Sequence, residues 1–352
     1  MPVRASRGLI RGFPRVGSRE IRQDATAAVP QQTLRRLSLS RWRLHRIMGS
    51  GQGQALQLFI SGCPQLVDIT LEECPGVTTL TVASASLRRF AMVCCHNARH
   101  IRLESRALRS LRYKGGLPPV TGSSFIWIAD HATVTALTID ICEGVHCKTP
   151  REITTVTELI ARCTNLEFLH LSLRPAMAYN GSVFASSLRR LPRLRCLELK
   201  GSLHSEHSVR SVSVLLQNTP KLEELSLLPL RPDPPKNKAR DLYDDLEDMY
   251  NERVSSDDDK KEVISCSGPV YVPHGVWTAP VRCFKHGLRR ISLVGYRGRP
   301  FERMIARFLL SKAVALEELS VSLAPASYEH RVEIERELTS WRFNRRTRIT
   351  FV

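Results

Sequence analysis

The apolar positions along this chain change their spacing again and again. Stretches with apolar side chains at three- and four-residue steps give way to short stretches at two-residue steps, which is the change from a helix stripe to a strand face. The helical stripes are Leu56/Phe59/Ile60/Cys63, Val156/Leu159/Ile160/Cys163, Phe184/Leu188/Leu191 and Val209/Val212/Leu215/Leu216. Each is followed by Leu-x-x-apolar-x-apolar, as Leu66/Ile69/Leu71, Leu166/Leu169/Leu171, Leu194/Leu197/Leu199 and Leu222/Leu225/Leu227. The same pattern stands at Leu34/Leu37/Leu39, Leu87/Phe90/Met92, Leu108/Leu111/Tyr113, Leu288/Ile291/Leu293 and Leu316/Leu319/Val321, and Val134/Leu137/Ile139 is a further rung. A proline separates helix from strand in Cys63-Pro64-Gln65-Leu66, Leu191-Pro192-Arg193-Leu194 and Thr219-Pro220-Lys221-Leu222. Its missing N–H and its ring stop a helix there.

The spacing keeps phase. Leucines 66, 87 and 108 lie 21 residues apart, 166, 194 and 222 lie 28 apart, and 288 to 316 is 28 again. One unit of helix, turn and strand is therefore repeated. A single unit cannot cover both its helix stripe and its leucines, so neighbours stack and share a core. The predicted fold class is α/β: a leucine-rich-repeat solenoid, with a curved parallel sheet on one side and helices or extended segments on the other. Val77/Leu80/Val82 and Ala98/Ile101/Leu103 fall midway in the 21-residue section and predict extended return segments. Cys74, Cys95 and Cys142 stand three residues beyond the last strand position, where leucine-rich repeats place an inward Asn or Cys. Further on, Phe301/Ile305/Phe308/Leu309 and Ile334/Leu338/Trp341 predict two more helices, and Ile349-Thr350-Phe351-Val352 a closing strand.

In each strand one residue points outward between the two core positions. Those residues are Thr70, Ala91, Arg112, Thr138, His170, Glu198, Ser226, Ser292 and Ser320, the candidate partner surface. Their mixed chemistry suits selective protein contact better than one repeated interaction.

Charge alters this picture. The formal net charge is +18, mostly from arginine, and 24% of the 352 residues are charged. Residues 1–48 hold eleven Arg against Glu20 and Asp24. Within them residues 1–30 show no sustained apolar period and predict a basic, disordered tail, with a composition also compatible with organelle targeting. The leucine-rich-repeat region is assigned to 31–230, with Gly49 to Gly53 as a flexible loop. Residues 231–270 open with Arg231-Pro232-Asp233-Pro234-Pro235 and continue acidic and poor in apolar residues, predicting a disordered insertion. Arg35, Arg36, Arg88, Arg89, Arg109, Arg289 and Arg290 recur at the two positions after the leading leucine, giving a candidate basic edge. Its expected counter-charge is an acidic protein partner or the chain's own 241–262 segment. The alternative is a nucleic-acid binder or stand-alone scaffold using the Arg-rich surface, but aromatics at 6% do not interleave with the arginines as base stacking wants.

No apolar run approaches the roughly 18–20 residues of a membrane helix, and no secretory h-region opens the chain, so no membrane partner is expected. Ten cysteines in a chain of this kind are expected to be thiols of a nuclear or cytoplasmic protein. Phosphate-loop, nucleophile-elbow and His-Glu-x-x-His motifs are absent from the sequence, so no enzyme, catalytic residue or cofactor is expected. Cys94/Cys95 with His96 and His100, and Cys142 with His146 and Cys147, lack the second Cys-x-x-Cys pair of a zinc site. No metal is expected either. Glu223/Glu224 and Glu317/Glu318 are read as solvated rather than catalytic.

The chain resembles the plant F-box/leucine-rich-repeat proteins that end in an FBD domain. The resemblance is carried by Gly62-Cys63-Pro64-Gln65-Leu66 through Leu71-Glu72-Glu73-Cys74, by Leu87-Arg88-Arg89-Phe90, and by Leu108 to Gly115. It is carried also by Leu288-Arg289-Arg290-Ile291-Ser292-Leu293, Gly295-Tyr296-Arg297-Gly298, Phe308-Leu309-Leu310, Ala313 and Leu316-Glu317-Glu318-Leu319. It implies that 271–352 is an FBD-like terminal repeat and α+β cap, and that the repeats recognise a protein target, as the substrate arm of an SCF-type ubiquitin ligase does. The family's F-box binds a Skp-type adaptor. Residues 1–60 carry no counterpart of it, so the chain is read either as a shortened member or as an F-box-less relative.

Overall fold

The computed structural model describes residues 34–40, 51–116, 125–141, 150–173, 181–201, 203, 205–228, 270–272, 274–278 and 280–352. Its main sheet has eleven strands, all paired in parallel: β1 (Arg36–Ser40), β2 (Asp68–Glu72), β4 (Arg89–Val93), β6 (Ser110–Gly115), β8 (Ala136–Ile141), β9 (Phe168–Leu173), β10 (Cys196–Gly201), β11 (Glu224–Leu228), β12 (Arg290–Tyr296), β13 (Glu318–Leu323) and β14 (Arg348–Phe351). Two-residue alternation sends one set of side chains into the core and the other out. The inward rungs line up from strand to strand: Ile69, Phe90 and Leu111 are register partners, as are Leu169, Leu197 and Leu225. The leading leucines 66, 87, 108, 166, 194, 222, 288 and 316 are all at most 1% exposed. The predicted solenoid is the fold observed.

Two kinds of return segment lie behind the sheet. Helices α1 (Gly51–Ser61), α2 (Pro150–Arg162), α3 (Gly181–Leu188), α4 (Glu206–Gln217), α5 (His274–Trp277), α6 (Cys283–His286), α7 (Pro300–Lys312) and α8 (Arg331–Ser340) form one kind. The predicted stripes of α1 to α4, α7 and α8 face the core, with Phe59, Phe301 and Trp341 partly buried, and the sequence pattern does not reveal α5 and α6. In the 21-residue section the return is extended instead, as β3 (Thr79–Val82), β5 (His100–Leu103) and β7 (Ile126–Ile128), which form their own parallel sheet. A strand rises about 3.3 Å per residue and a helix 1.5 Å, so the extended return covers the back with fewer residues. That difference is the physical content of 21 against 28. The sequence pattern did not reveal β7, whose apolar pair Ile126/Ile128 is only three residues long.

One reading needs correction. Gly51 to Gly53 open α1 rather than continuing a loop. First-turn N–H groups need no intrahelical partner, and the roughly 1 kcal/mol cost of each glycine is offset by the buried Leu56 and Ile60 that follow. The helix also protects the back sheet. Gln57 Nε2 donates to the Thr81 carbonyl at 2.7 Å and Gln57 Oε1 accepts from the Thr81 N–H at 2.7 Å, so one side-chain amide fills the place of a strand along the β3 edge. The predicted tail (1–30) lies outside the described residues, as does the predicted insertion (231–270) except for Val270.

Buried hydroxyls repeat with the rungs. Ser84 Oγ donates to the Leu66 carbonyl, Ser105 Oγ to that of Leu87 and Thr347 Oγ1 to that of Leu316, each at 2.8 Å. Each gives a backbone carbonyl inside the turn a donor, and at Leu316 the Asn344 Nδ2 amide adds a second at 3.3 Å. The inward cysteines behave as expected: Cys95 Sγ accepts from the Cys74 N–H at 3.4 Å and lies 3.8 Å from the Leu71 carbonyl. Cys142 lies outside the described residues.

The sheet runs into 271–352 without interruption, since Leu225 of β11 pairs with Ile291 of β12. Between Val294 and Tyr296 the register slips by one, at Gly295 with φ +66°, a conformation glycine adopts without strain. Glu302, in the first turn of α7, accepts the N–H groups of Arg297 at 2.7 Å and Arg299 at 3.3 Å. Burial pushes its carboxyl pKa up, against those two hydrogen bonds. Arg303 Nε reaches both oxygens of Glu337, at 3.0 and 2.9 Å, and ties α7 to α8.

Because every inward rung is covered by its neighbours, Leu169→Ala is expected to cost about 3 kcal/mol, within the range for a large-to-small change in a closed core. The outward Ser226→Ala should stay within about 0.5 kcal/mol. Urea midpoints of the two variants test the difference, and equal midpoints would contradict the assigned faces.

Candidate interaction surface

The outward residues of the main sheet form rows that cross all eleven strands. The central row is Ser38, Thr70, Ala91, Arg112, Thr138, His170, Glu198, Ser226, Ser292, Ser320 and Thr350, each the register partner of the next. All nine sequence-derived positions lie in it. Ser38 and Thr350 extend it at either end. Both stand between paired apolar residues, Leu37/Leu39 and Ile349/Phe351, so the same two-residue signal marks them.

Ala91 is a correction. It is fully buried despite its outward register. A methyl group between Thr70 and Arg112 is the smallest side chain of its neighbourhood, and it contributes no accessible surface for a partner. The other eight positions are half-buried, so their outer atoms are accessible.

The middle of the face is polar and tightly paired. His170 Nδ1 lies 2.9 Å from Glu198 Oε2, one strand across. One row further along, Lys200 Nζ donates to Asp140 Oδ2 at 2.9 Å, reaching across the intervening strand β9. Ser172, the β9 register partner of Lys200, is fully buried, and its Oγ has no hydrogen-bond partner among the described residues. On the other side lie half-buried Phe168 and Cys196. This centre therefore offers an imidazole–carboxylate pair, an ammonium–carboxylate pair and a small apolar patch within a few strand spacings of about 4.8 Å.

The basic edge differs from its sequence reading. Arg89 Nε and Nη2 grip Asp68 at 2.7 and 2.6 Å, and Arg36 Nε approaches the same carboxylate at 3.2 Å. Arg290 pairs with Glu224, and Arg289 Nη1 with Glu317 at 2.8 Å. Arg195 and Arg348 pair with Glu223 and Glu318 at 3.7 and 3.6 Å. Four of the seven predicted arginines are thus already partnered, and the two Glu-Glu pairs supply carboxylates to cross-strand ion pairs rather than standing solvated alone. The cause is register: stacking puts Asp68 between Arg36 and Arg89, and Glu224 beside Arg290. Arg35, Arg88 and Arg109 have no carboxylate partner among the described residues. Repeat phase could have found these pairs, because Asp68 and Arg89 lie 21 residues apart.

No three His, Cys, Asp or Glu side chains converge as a metal set among the described residues. Cys95 is committed to its turn, and Cys142, His146 and Cys147 lie outside the described residues. No described helix is long and apolar enough to cross a membrane. The buried thiols are chemically quiet. Burial pushes the pKa of Cys163 and of Cys283 up to about 12, and raises those of Cys63 and Cys196 as well.

At pH 8 the thiolate fraction at Cys163 and Cys283 is on the order of a thousandfold below that of a free cysteine. Iodoacetamide is expected to leave both unmodified in the native chain and to label them after denaturation, as read by peptide mass spectrometry. Native labelling at the free-thiol rate would contradict their buried placement.

Against known families, the model described as At1g61320/AtMIF1, LRR domain, matches residues 19–247, well over half of the chain. No curated protein matches it.

Proposed function

The chain belongs to this leucine-rich-repeat family, and from that premise we propose that it acts as a protein-interaction module whose partner is read by the central row of the open sheet face. The observation carrying this reading is the row itself: positions aligned strand by strand but chemically unlike, from Arg112 through His170 and Glu198 to the hydroxyls of Ser226, Ser292 and Ser320. A rigid surface whose side chains differ along its length discriminates between partners by complementary charge and by clashes against wrong ones. The backbone holds the positions and the side chains are free to vary.

The finer form of the proposal is a substrate-recognition arm of the F-box, SCF-type ubiquitin-ligase class. The terminal residues Leu288 to Gly298 and Leu316 to Leu319 support it, through their likeness to FBD domains. On this reading 271–352 is the FBD-like cap, and a Skp-type adaptor joins only where an F-box is present. The proposed organisation keeps 1–30 as a basic tail, 31–230 as the repeat region and 231–270 as an acidic insertion. The proposed compartment is the nucleus or cytoplasm, supported by Cys63, Cys163, Cys196 and Cys283 being thiols rather than disulfides. Ion pairing of four basic-edge arginines weighs against an Arg-driven nucleic-acid role.

Two measurements test this. Affinity capture with the full chain and with an Arg112→Ala/His170→Ala/Glu198→Ala variant should recover a partner whose binding falls at least about tenfold in the variant, since a cluster of central contacts carries most of the energy of an interface. The triple change removes both members of the His170–Glu198 pair together, so neither is left facing a missing partner, and a melting curve checks that the variant remains folded. A partner retained by the variant would refute the central-row assignment. Co-purification with a Skp-type adaptor tests the ligase form, and no association would remove that form while leaving the interaction module.

A further inference from the structure

One row earlier, at the strand N-terminal rim, the charge pattern is complete in one half of the solenoid and incomplete in the other. The rim positions are Arg35, Val67, Arg88, Arg109, Thr135, Glu167, Arg195, Glu223, Arg289 and Glu317. Their carbonyls carry the parallel ladder: Arg89 N–H donates to Val67 and Ser110 N–H to Arg88, each at 3.0 Å. From Glu167 onward, acid and base alternate strand by strand, with Arg195–Glu223 at 3.7 Å and Arg289–Glu317 at 2.8 Å. Over the first strands this rim row, Arg35, Val67, Arg88 and Arg109, holds no acid. Arg35, Arg88 and Arg109 are exposed, and the last two are immediate neighbours.

Like charges on adjacent strands repel, at a spacing of about 4.8 Å. The adjoining outward row adds Arg36 and Arg89, which share one carboxylate, Asp68. Five guanidinium groups thus face a single acid across β1 to β6. The other carboxylates nearby, Glu72 of β2 and Glu73 just after it, are at the opposite end of that strand. The Asp68 arrangement also shows what geometry satisfies such arginines: one carboxylate seated between guanidiniums of strands two apart, gripped through two nitrogens by one of them.

We propose that the rim of β1, β2, β4 and β6 docks an acidic peptide segment of a protein partner, whose carboxylates occupy the places between Arg35, Arg88 and Arg109 that acidic residues fill in the other half of the row. The proposal rests on the protein-interaction reading and names the chemistry of the partner. An extended peptide with acids at every second residue presents carboxylates about 6.6–7 Å apart on one side, within reach of flexible arginine side chains on strands one and two spacings apart. A polyanion with bases would want flat side chains to stack on. Among the described residues, the exposed aromatics Trp127, Tyr271, Tyr328 and Phe343 all lie outside β1, β2, β4 and β6, and the aromatics of β4 and β6, Phe90 and Tyr113, are buried.

The test uses the full chain and a fluorescein-labelled dodecapeptide of alternating Glu and Ser, at about 150 mM salt, where net-charge effects beyond roughly 8 Å are screened. Binding is expected, and Arg35→Gln/Arg88→Gln/Arg109→Gln should weaken it about tenfold. The control Arg195→Gln/Arg289→Gln, from the paired half of the same row, should change it less than about twofold. Exposed arginines without partners cost little on removal, and a melting curve for each variant checks that the fold is intact. The proposal fails if the peptide does not bind, if both variants bind it alike, or if a single-stranded RNA of equal charge binds as tightly with the same dependence on the rim arginines. The central-row reading has its own readout, because the Arg112/His170/Glu198 variant retains all three rim arginines. Partner loss in that variant with no peptide binding here would end the rim proposal and leave the interaction module standing.

Discussion

The inward rungs of this molecule are flanked by the same rungs of neighbouring turns, and the shared core behind them depends on that stacking. Phe90 has Ile69 on one side and Leu111 on the other; Leu197 has Leu169 and Leu225. The inward row therefore accepts only apolar side chains, and the repeat length has to return the chain to the same height. A helix or a short strand can do so, at 28 or 21 residues, provided its stripe reaches the back of the leucines. At the ends of the described sheet the constraint relaxes: Leu39 on β1, and Ile349 and Phe351 on β14, are only partly buried, each strand being paired on one side among the described residues.

The same stacking governs polar groups. Closing the core strands backbone carbonyls on the inner side of each turn, and a hydroxyl from the next unit meets them at Leu66, Leu87 and Leu316. Thiols serve similarly at Cys74 and Cys95, and the hydrogen bond with Cys74, together with burial, pushes the Cys95 thiol pKa up. Outside the core, register converts scattered charges into ladders. Asp68 is one acid among arginines in the sequence; between β1 and β4 it becomes the shared anchor of Arg36 and Arg89. Each exposed pair of this sort contributes little to stability, so the ladders matter more for which charges remain available to a partner.

That distinction separates the two regions of the open face assigned here. The central row is held by short paired contacts, His170 with Glu198 and Lys200 with Asp140 beside it, and is preorganised. The rim of the first strands carries like charges without counterparts among the described residues. One region fits selective contact with a folded surface, the other attraction of an acidic segment, and both lie on strands whose positions the core determines.

The sequence by itself determined the solenoid, the alternation of inward and outward residues and nine of the eleven central-row positions, because a fixed repeat with apolar residues at three- and two-residue steps has one way to bury its leucines. Phase alone places Leu66, Leu87 and Leu108 on one line. Only the tertiary structure decided which outward groups meet. Ala91 is buried between its neighbours, Gln57 closes the edge of β3, Gly51 joins a helix, and Arg89, Arg289 and Arg290 spend their charge on carboxylates 21, 28 and 66 residues away. Such contacts depend on side-chain reach across strands and on the length of each return, and two-residue or 3.6-residue periodicity carries no information about either.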